Sequence, residues 1–409
     1  MAILVTTSSF PRFDGDPSGN FILELLKHLN RGEDNILVVC PHSHGSKIIE
    51  KCDNIEIYRF PYFFPLYLQR LCSEGGMLHN YRSSILAKIQ LPLLMLSETV
   101  SAILLIATRD VRVIHSNWLI PQGIIGAICK KLFGIQHIIS VHGSDINCVA
   151  SSRFLRIFFG FIVRNTDIIT TNSTYTKRRV LQIDGTVNDK IHVIPMGVDV
   201  GKFNINKRNS LKNDFNSERC ILTAARLIPI KGINYLIQSM MLILQSFPKA
   251  KLVICGDGPE KESLQKLAEE LGISEHVCFK GYIPHDEMVQ YYMSADVFVL
   301  PSVEIGGYKE GLGVVLIEAM ACGTPVIGTN VGGITDIITD DYNGLLVAER
   351  SPEDIAKKVI KILTDKDYAE QLRQNALTTV CSNYSWSSIA EEFNQIYSQL
   401  SGKNYEDRV

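Results

Sequence analysis

Several patterns are missing from this 409-residue chain, and each absence excludes a class of protein. The net charge is only −2, so the overall charge does not favour a nucleic-acid partner. Ten cysteines are scattered without a C-x-x-C pair or a zinc-like spacing, which indicates reduced thiols in a cytoplasmic protein. The glycine pattern G-x-G-x-x-G is also absent, and this argues against a dinucleotide site.

Long uninterrupted apolar runs are scarce as well. The N-terminus, Met1 to Thr7, lacks a basic start and is typical of a first strand rather than a signal peptide. The longest apolar region, Ile89 to Ala107, is interrupted by Pro92 and by a polar triplet at 97–99. We therefore expect a buried or membrane-grazing helix there rather than a transmembrane one.

Short apolar strands alternate with helical segments, and this alternation occurs twice. The first series covers residues 1–200, a polar linker covers 201–218, and the second series covers 219–382. Such alternation is typical of parallel sheets. The predicted fold class is therefore α/β, with two Rossmann-like βαβ domains facing each other across a cleft. A last helix is expected within residues 383–409.

The most informative stretch runs from Glu310 to Ile327, after an apolar strand. Glycines break the chain just before a helical run, so backbone N–H groups at the helix start can face a bound anion. Glu318 lies on this helix among apolar residues, where a carboxylate is rarely left without a partner. The alternative is an ordinary crossover helix with one solvent-facing glutamate. The candidate binding residues of this stretch are Glu310, Gly311, Leu312, Gly313, Val314 and Glu318.

Charged residues also follow another strand of the second series. Arg226 and Lys231 follow its first strand, and carboxyl ends of parallel strands converge at one edge. Two cations and a helix N-terminus suit a diphosphate, since arginine can bind it bidentately and lysine as a point charge. Glu318 could accept the hydroxyls of a ribose, and Glu310 those of a sugar. Gly256 and Tyr282 follow the next two strands, and Tyr282 could border a base.

The first series has its own candidates at strand ends. Gly19 ends a loop before a helix, where it could allow close approach of a phosphate or simply form an N-cap turn. Asn117 and Trp118 follow a second strand, and His142 ends a third, with Asp145 three residues later. These residues are placed for chemistry in this architecture. An incidental histidine and a capping aspartate explain the last pair equally well.

Two segments of the first series combine aromatic and basic residues. Residues 153–164 contain three arginines and four phenylalanines, and Phe60 to Tyr67 lies between Arg59 and Arg70. Such mixtures suit the headgroup boundary of an anionic membrane surface. The competing interpretation is that these aromatics are buried.

The combined motifs resemble those of the family-4 retaining glycosyltransferases, which have the GT-B fold. The resemblance covers most of residues 1–380. It rests on five motifs: His142-Gly143-Ser144-Asp145, Pro195-Met196-Gly197-Val198-Asp199, Arg226 through Lys231-Gly232, Gly256-Asp257-Gly258-Pro259, and Glu310 through Val326.

The resemblance implies a function for these residues. Arg226 and Lys231 would bind the donor diphosphate and Glu318 the ribose, while Glu310 would contact the donor sugar. His142 would lie at the reacting centre, and Gly19 matches a glycine of the N-terminal loop. The family often has His-x-His-Trp where this chain has His115 to Trp118, so Asn117 departs from the family's pattern. The last helix commonly crosses back to the first domain.

The implied reaction moves a sugar from a UDP- or GDP-sugar to a glycan or lipid-linked acceptor, with retained anomeric configuration. It would need no metal and no cofactor beyond the nucleotide-sugar co-substrate. The expected setting is cell-surface polysaccharide or glycolipid biosynthesis, in the cytoplasm or at the inner face of the membrane. A sugar-nucleotide epimerase of the same fold and a catalytically silent scaffold are the alternatives. The joint presence of Arg226, Lys231, Glu310 and Glu318 argues against the scaffold.

Overall fold

A computed structural model describes residues 2–13, 15–29, 35–73, 76–204 and 219–401. These residues form two compact units. The first unit contains the described parts of Met1–Asn172, Thr176–Ile194 and Ile389–Val409, and the second contains Ser173–Tyr175 and Pro195–Ser388. Residues 205–218, most of the predicted linker, lie outside the described residues.

The first unit is organised around an eight-stranded sheet with the order β3-β4-β2-β1-β5-β6-β7-β8. The strands are β1 (Ala2–Thr6), β2 (Asn35–Pro41), β3 (Ile49–Cys52), β4 (Ile55–Phe60), β5 (Val111–Asn117), β6 (Gln136–Val141), β7 (Ile168–Thr171) and β8 (Ile191–Val193). Neighbouring strands are parallel except for the β3–β4 pair. Because both faces of a parallel sheet are covered, β1 consists entirely of buried residues.

Helices connect these strands. They are α1 (Asn20–Leu29), α2 (Met77–Ser83), α3 (Ile85–Thr108), α4 (Ile124–Phe133), α5 (Ser144–Ser151), α6 (Arg153–Arg164) and α7 (Thr174–Ile183). The side chains of Ser84 and Ser152 cap α3 and α6 by accepting a backbone N–H in the first turn. Each cap separates its helix from the one before it.

Two features of the first unit differ from the sequence interpretation. Helix α3 continues through Pro92, which lies on its exposed side. Proline removes one backbone hydrogen bond there, and packing of the opposite side holds the helix together. Among the described helices, α3 alone has the length and composition to cross a membrane, and 28% of its most apolar 18 residues are buried.

The aromatic segment between Arg59 and Arg70 is divided between the core and the surface, so its interpretation as a surface patch is wrong for Phe60 and Tyr62. Arg59, Phe60 and Tyr62 are buried, and Arg59 donates to the backbone oxygen of Pro11 at 2.7 Å. Only Phe64 and Tyr67 project into solvent. Phe60 ends strand β4, and together with Tyr62 it packs in the hydrophobic core of the first unit.

The second unit contains a fully parallel six-stranded sheet with the order β11-β10-β9-β12-β13-β14. Its strands are β9 (Arg219–Ala224), β10 (Ala250–Cys255), β11 (Val277–Gly281), β12 (Val297–Leu300), β13 (Val326–Thr329) and β14 (Leu345–Val347). Its helices are α8 (Ile233–Ser246), α9 (Lys261–Glu270), α10 (His285–Ser294), α11 (Val314–Ala321), α12 (Ile334–Ile337), α13 (Pro352–Thr364) and α14 (Lys366–Asn383). The last helix, α15 (Trp386–Ser401), belongs to the first unit from Ile389 onward.

Two buried histidines lie on adjacent strands of the first unit. His115 contacts the hydroxyls of Tyr397 at 2.6 Å and Ser140 at 2.7 Å, and His137 contacts the Ser116 hydroxyl at 3.1 Å. Burial lowers the pKa of His115 to about 3 and that of His137 to about 4. Both rings are therefore neutral in the folded chain at neutral pH.

Acidification should lower the free energy of unfolding from about pH 6.5 downwards. The reason is that the two histidines take up protons in the unfolded chain but remain neutral in the folded one. At pH 5 each ring should contribute a loss of about 1–2 kcal/mol relative to pH 7.5. Urea unfolding at several pH values measures this loss. His115→Gln or His137→Gln should flatten the pH dependence, while His192→Gln, at an exposed position of the same sheet, should not. Equal pH dependence in all three variants would contradict the assignment.

Candidate functional site

The candidate residues of the second unit gather where the strand order of its sheet reverses. The chain moves from β9 outward through β10 and β11, and then returns to β12 on the other side of β9. Loops that follow β9 and β12 therefore separate at their start and leave a crevice at the carboxyl edge. Lys231 lies in the first of these loops and Glu310 in the second.

Glycines allow these loops to touch one another through their backbones. A Cβ atom on Gly332 would lie 2.2 Å from the backbone oxygen of Glu310, and one on Gly232 would lie 2.2 Å from that of Pro301. The N–H of Gly333 donates to the Glu310 oxygen at 2.9 Å. A Cβ on Gly256 would lie 1.9 Å from the backbone oxygen of Ala225, beside Arg226. The crevice walls are thus held in place by main chain.

Lys231 and Glu310 form an ion pair in this crevice. The Lys231 Nζ donates to Oε2 of Glu310 at 2.6 Å, and the Ser302 hydroxyl donates to the same oxygen at 2.8 Å. Burial raises the pKa of Glu310, but Lys231, Ser302 and the backbone N–H of Gly311 together lower it below its ordinary value. An ammonium and a carboxylate are therefore presented side by side at neutral pH.

Glu318 has two protein partners. Its carboxylate is 8% exposed and accepts a hydrogen bond from the Tyr292 hydroxyl at 2.7 Å. The other oxygen lies 2.9 Å from Nε2 of His285. Burial, aided by the nearby Glu318, raises the pKa of Tyr292 well above its ordinary value, so the phenol remains a donor. Each carboxylate oxygen keeps acceptor capacity for a further donor.

The other candidates of this unit lie around the same edge. Arg226 is exposed and takes part in no ion pair among the described residues, and the Tyr282 side chain is 66% exposed. Gly313 adopts a φ of +96° directly before α11, with Leu312 buried behind it. The Val314 and Val315 N–H groups occupy the first turn of α11, where no helical acceptor exists for them. This end of α11 can therefore donate to an anion.

The first-unit candidates also meet at a reversal of strand order, between β1 and β5. Gly19, with a φ of +69°, ends the loop after β1 and packs against the backbone of Ser9. The Phe21 ring lies 5.1 Å from that of His142, which is also 5.1 Å from that of Trp118. Trp118 itself has a φ of +73°, which is rare for a bulky side chain.

His142 and Asn117 form a polar pair inside this aromatic group. Nε2 of His142 lies 3.2 Å from Oδ1 of Asn117. Burial lowers the pKa of His142 to about 4, so the ring is neutral at pH 7. Nδ1 of His142 and Nδ2 of Asn117 are buried and have no hydrogen-bond partner among the described residues. Unpaired buried polar atoms are rare, and this makes the pair a candidate for contact with a polar ligand group.

Asp145 holds this group together. Its carboxylate accepts backbone N–H bonds from His142 at 3.2 Å, Ile146 at 3.0 Å and Leu119 at 3.1 Å. Burial raises its pKa to about 6 despite these bonds, which act in the opposite direction. Asp145 therefore connects the ends of β5 and β6 and positions the residues around it.

Sequence reasoning missed several members of both groups. His285 and Tyr292 are seven residues apart on α10, so a two-turn spacing places them on one side of the helix. That spacing was a usable signal, but their partner Glu318 lies on a different helix. Ser302 and the Gly332–Gly333 turn were also missed, because the contact with Glu310 arises only when neighbouring loops pack. No group of three or more possible metal ligands occurs among the described residues.

Comparison with known proteins gives two family matches. Residues 206–379 match the model for "Glycosyl transferases group 1", and residues 18–202 match that for "Glycosyltransferase Family 4". An uncharacterised glycosyltransferase of Methanocaldococcus jannaschii is 34% identical over 67% of this chain and 72% of its own. A GDP-mannose-dependent alpha-(1-6)-phosphatidylinositol monomannoside mannosyltransferase of Mycobacterium tuberculosis is 31% identical over 70% of this chain and 75% of its own.

The solved structures agree on the fold. Sucrose-phosphate synthase from Thermosynechococcus elongatus superposes with a TM-score of 0.77 at 22% identity, covering 98% of this chain and 99% of its own. The predicted α/β class, with two Rossmann-like domains of the GT-B type, is confirmed.

The backbone contact at Gly332 can be tested through stability. Gly332 and Gly307 both have positive φ, but a Cβ on Gly307 would meet nothing within 4 Å. Gly307→Ala should therefore lower the free energy of unfolding by about 1–2 kcal/mol, the cost of placing alanine at a positive φ. Gly332→Ala should lower the free energy of unfolding by clearly more, because its Cβ atom would also push the backbone of Glu310 away. Urea unfolding of both variants measures the difference, and equal losses would show that the close contact is unimportant.

Proposed function

The chain belongs to the group 1 glycosyl transferases of glycosyltransferase family 4, and from this premise we propose a specific reaction for it. It transfers a sugar from a UDP- or GDP-sugar to a glycan or lipid-linked acceptor, with retention of the anomeric configuration. The observation that carries the proposal is the Lys231–Glu310 pair beside the start of α11. Lys231 can pair with a phosphate of the donor, and the adjacent Glu310 can accept hydrogen bonds from the hydroxyls of the donor sugar.

In this proposal the donor diphosphate is held by three kinds of group. Lys231 supplies a point charge, Arg226 can reach the phosphates from its exposed position, and the first N–H groups of α11 complete the site. These positive groups stabilise the negative charge that grows on the leaving diphosphate. No step requires a metal ion.

The nucleoside is placed by Glu318. The carboxylate is already oriented by Tyr292 and His285, so it can accept ribose hydroxyls without first losing conformational freedom. Tyr282, at the end of β11, offers a ring for the base to lie against. Glu310 accepts hydroxyls of the donor sugar.

His142 contributes as a neutral group. Its ring and the neighbouring Asn117 amide offer hydrogen bonds to sugar hydroxyls, which would satisfy their unpaired atoms.

The acceptor oxygen forms a bond to the anomeric carbon on the face from which the diphosphate leaves. The bond from that carbon to the phosphate oxygen breaks, and the leaving phosphate takes the acceptor proton. We assign no covalent nucleophile. Trp118 lies beside His142 and is the first candidate for contact with the acceptor.

The similarity to a GDP-mannose-dependent enzyme that acts on a phosphatidylinositol mannoside supports both parts of the proposal. It makes GDP-mannose the first donor to test and a lipid-linked saccharide the first acceptor. A labelled nucleotide sugar should yield labelled acceptor product. Recovery of only an epimerised donor would support the epimerase instead, and complete recovery of unchanged donor across a panel of sugars would support a silent scaffold.

Donor-site variants should lose nucleotide affinity. Lys231→Ala removes a charge-assisted phosphate contact, worth about 1.5–3 kcal/mol, or roughly ten- to a hundredfold in Kd. Glu318→Ala should weaken binding of the free nucleotide as well as of the donor. Calorimetry with the nucleoside diphosphate measures both. Lys266→Ala, at an exposed site on α9, is the matched control. Unchanged affinity in both donor-site variants would show that the site is misplaced.

Transfer should survive chelation. Since Lys231, Arg226 and the start of α11 stabilise the leaving diphosphate, EDTA treatment should leave the rate within about twofold. The assay compares untreated enzyme, EDTA-treated enzyme and treated enzyme with added Mn²⁺. Loss of transfer on chelation, followed by recovery with manganese, would overturn the metal-independent mechanism.

A further inference from the structure

The two sides of α3 have different environments. One side, including Ala87, Leu94 and Ala102, is fully buried in the core of the first unit. The opposite side exposes an unbroken series of large aliphatic residues at helical spacing, which we call the α3 face. Its members, with their exposed fractions, are Ile85 (77%), Ile89 (57%), Leu93 (41%), Leu96 (63%), Val100 (47%) and Leu104 (58%).

An exposed helix face in a water-soluble domain normally carries polar residues. Along α3, which is described throughout, Lys88 is the only exposed charged residue. Six aliphatic residues on a 24-residue helix form a continuous apolar strip about 30 Å long, far beyond the scattered apolar side chains of ordinary surfaces. The strip therefore requires a partner.

Helix α3 lies along the unit rather than leaving it. Its buried side contacts β1, β2 and β4, and Gln90 accepts N–H bonds from Arg70 and Leu71 at 3.0 Å each. Glu98 is buried in the same side and accepts from Gln122 at 3.2 Å. A helix with this polar, sheet-packed side is suited to lie flat at an interface and not to cross a bilayer.

Aromatic side chains border the α3 face. The loop before α2 is tied to α3 by hydrogen bonds from Ser97 to the Pro61 oxygen and from Gln90 to the Leu68 oxygen, at 2.7 and 2.6 Å. This loop exposes Phe64 and Tyr67. Aromatic rings of this kind favour the boundary between lipid tails and headgroups.

Basic residues lie on α3 itself, on its neighbour α2 and, beyond α4, on α6. Helix α2 packs beside α3, and α4 packs between α3 and α6. Exposed basic residues on α2, α3 and α6 are Arg82, Lys88, Arg153, Arg156 and Arg164. Glu98 is the only acidic residue in these three helices, and it is fully buried. In a chain of net charge −2, this is a strongly uneven distribution that complements an anionic surface.

We propose that the α3 face docks the first unit onto an anionic lipid surface. The aliphatic strip enters the headgroup boundary while the surrounding cations contact lipid phosphates. Helix α6 contributes less than its composition suggests, because Phe159 is buried and only Phe154 and Ile157 are strongly exposed. A second copy would cover the apolar strip too, but it would bring the basic residues of α2, α3 and α6 against the same basic residues, whereas an anionic lipid surface pairs with them. The inference does not depend on the donor or on activity.

Vesicle sedimentation tests the proposal. Full-length protein should bind vesicles of phosphatidylglycerol and phosphatidylcholine at least tenfold more tightly than vesicles of phosphatidylcholine alone. Ile89→Glu with Leu96→Glu should lower binding more than tenfold, and Lys88→Glu with Arg153→Glu and Arg156→Glu should abolish the preference for anionic lipid. Met241→Glu, at an exposed apolar position on α8, should bind like the original protein.

Folding and self-association are checked in the same set. Thermal unfolding should be nearly unchanged in the α3 variant, since both substituted side chains point into solvent. Sedimentation velocity without lipid should show no change in association state. Equal recovery of all variants in the supernatant would overturn the proposal. A dimer that Ile89→Glu with Leu96→Glu dissociates would overturn it in favour of an interface between two copies.

Discussion

The candidate donor site depends on loops that approach closely enough to touch through their main chains. Gly332 packs on the Glu310 backbone and Gly232 on that of Pro301, with distances that leave no room for a Cβ atom. Loops at the reversal point of a parallel sheet diverge and leave a crevice, and glycine allows their backbones to come into contact at its walls. The frame is therefore built from main-chain contacts.

Within this frame, both carboxylates have protein partners. Lys231 and Ser302 hold Glu310, and Tyr292 and His285 hold Glu318. Pairing offsets the cost of removing each charge from water, and it fixes the direction in which the remaining lone pairs point. In the proposed complex, Lys231 would contact a phosphate of the donor and Glu310 would contact the donor sugar. The two partners of one ion pair would then bind two neighbouring parts of the donor. Preorganised charge of this kind is the usual source of transition-state stabilisation.

The sequence was sufficient for much of this arrangement and insufficient for the rest. Parallel strands are continuous apolar runs, so the apolar strand expected before Glu310 is present as β12, and polar side chains that follow such runs gather at one edge. The β3–β4 hairpin and the unbroken α3 were missed, since local signals from polar residues and Pro92 were outweighed by packing. Partners such as His285 come from distant elements, and only the folded sheet brings them to Glu318. For α3 the sequence left a buried helix and a membrane-grazing helix as alternatives, because an apolar sequence does not reveal which side of a helix is covered.

The account rests on Lys231 serving the phosphate while Glu310 serves the sugar, and Glu310→Gln separates these roles. This variant keeps the Ser302 contact and releases Lys231 from its ion pair. We expect calorimetry to show affinity for the free nucleoside diphosphate that is equal to or tighter than that of the original chain. Sugar transfer by the same preparation should fall by about a hundredfold or more. Weakened binding of the free diphosphate, or full transfer activity, would contradict the central claim.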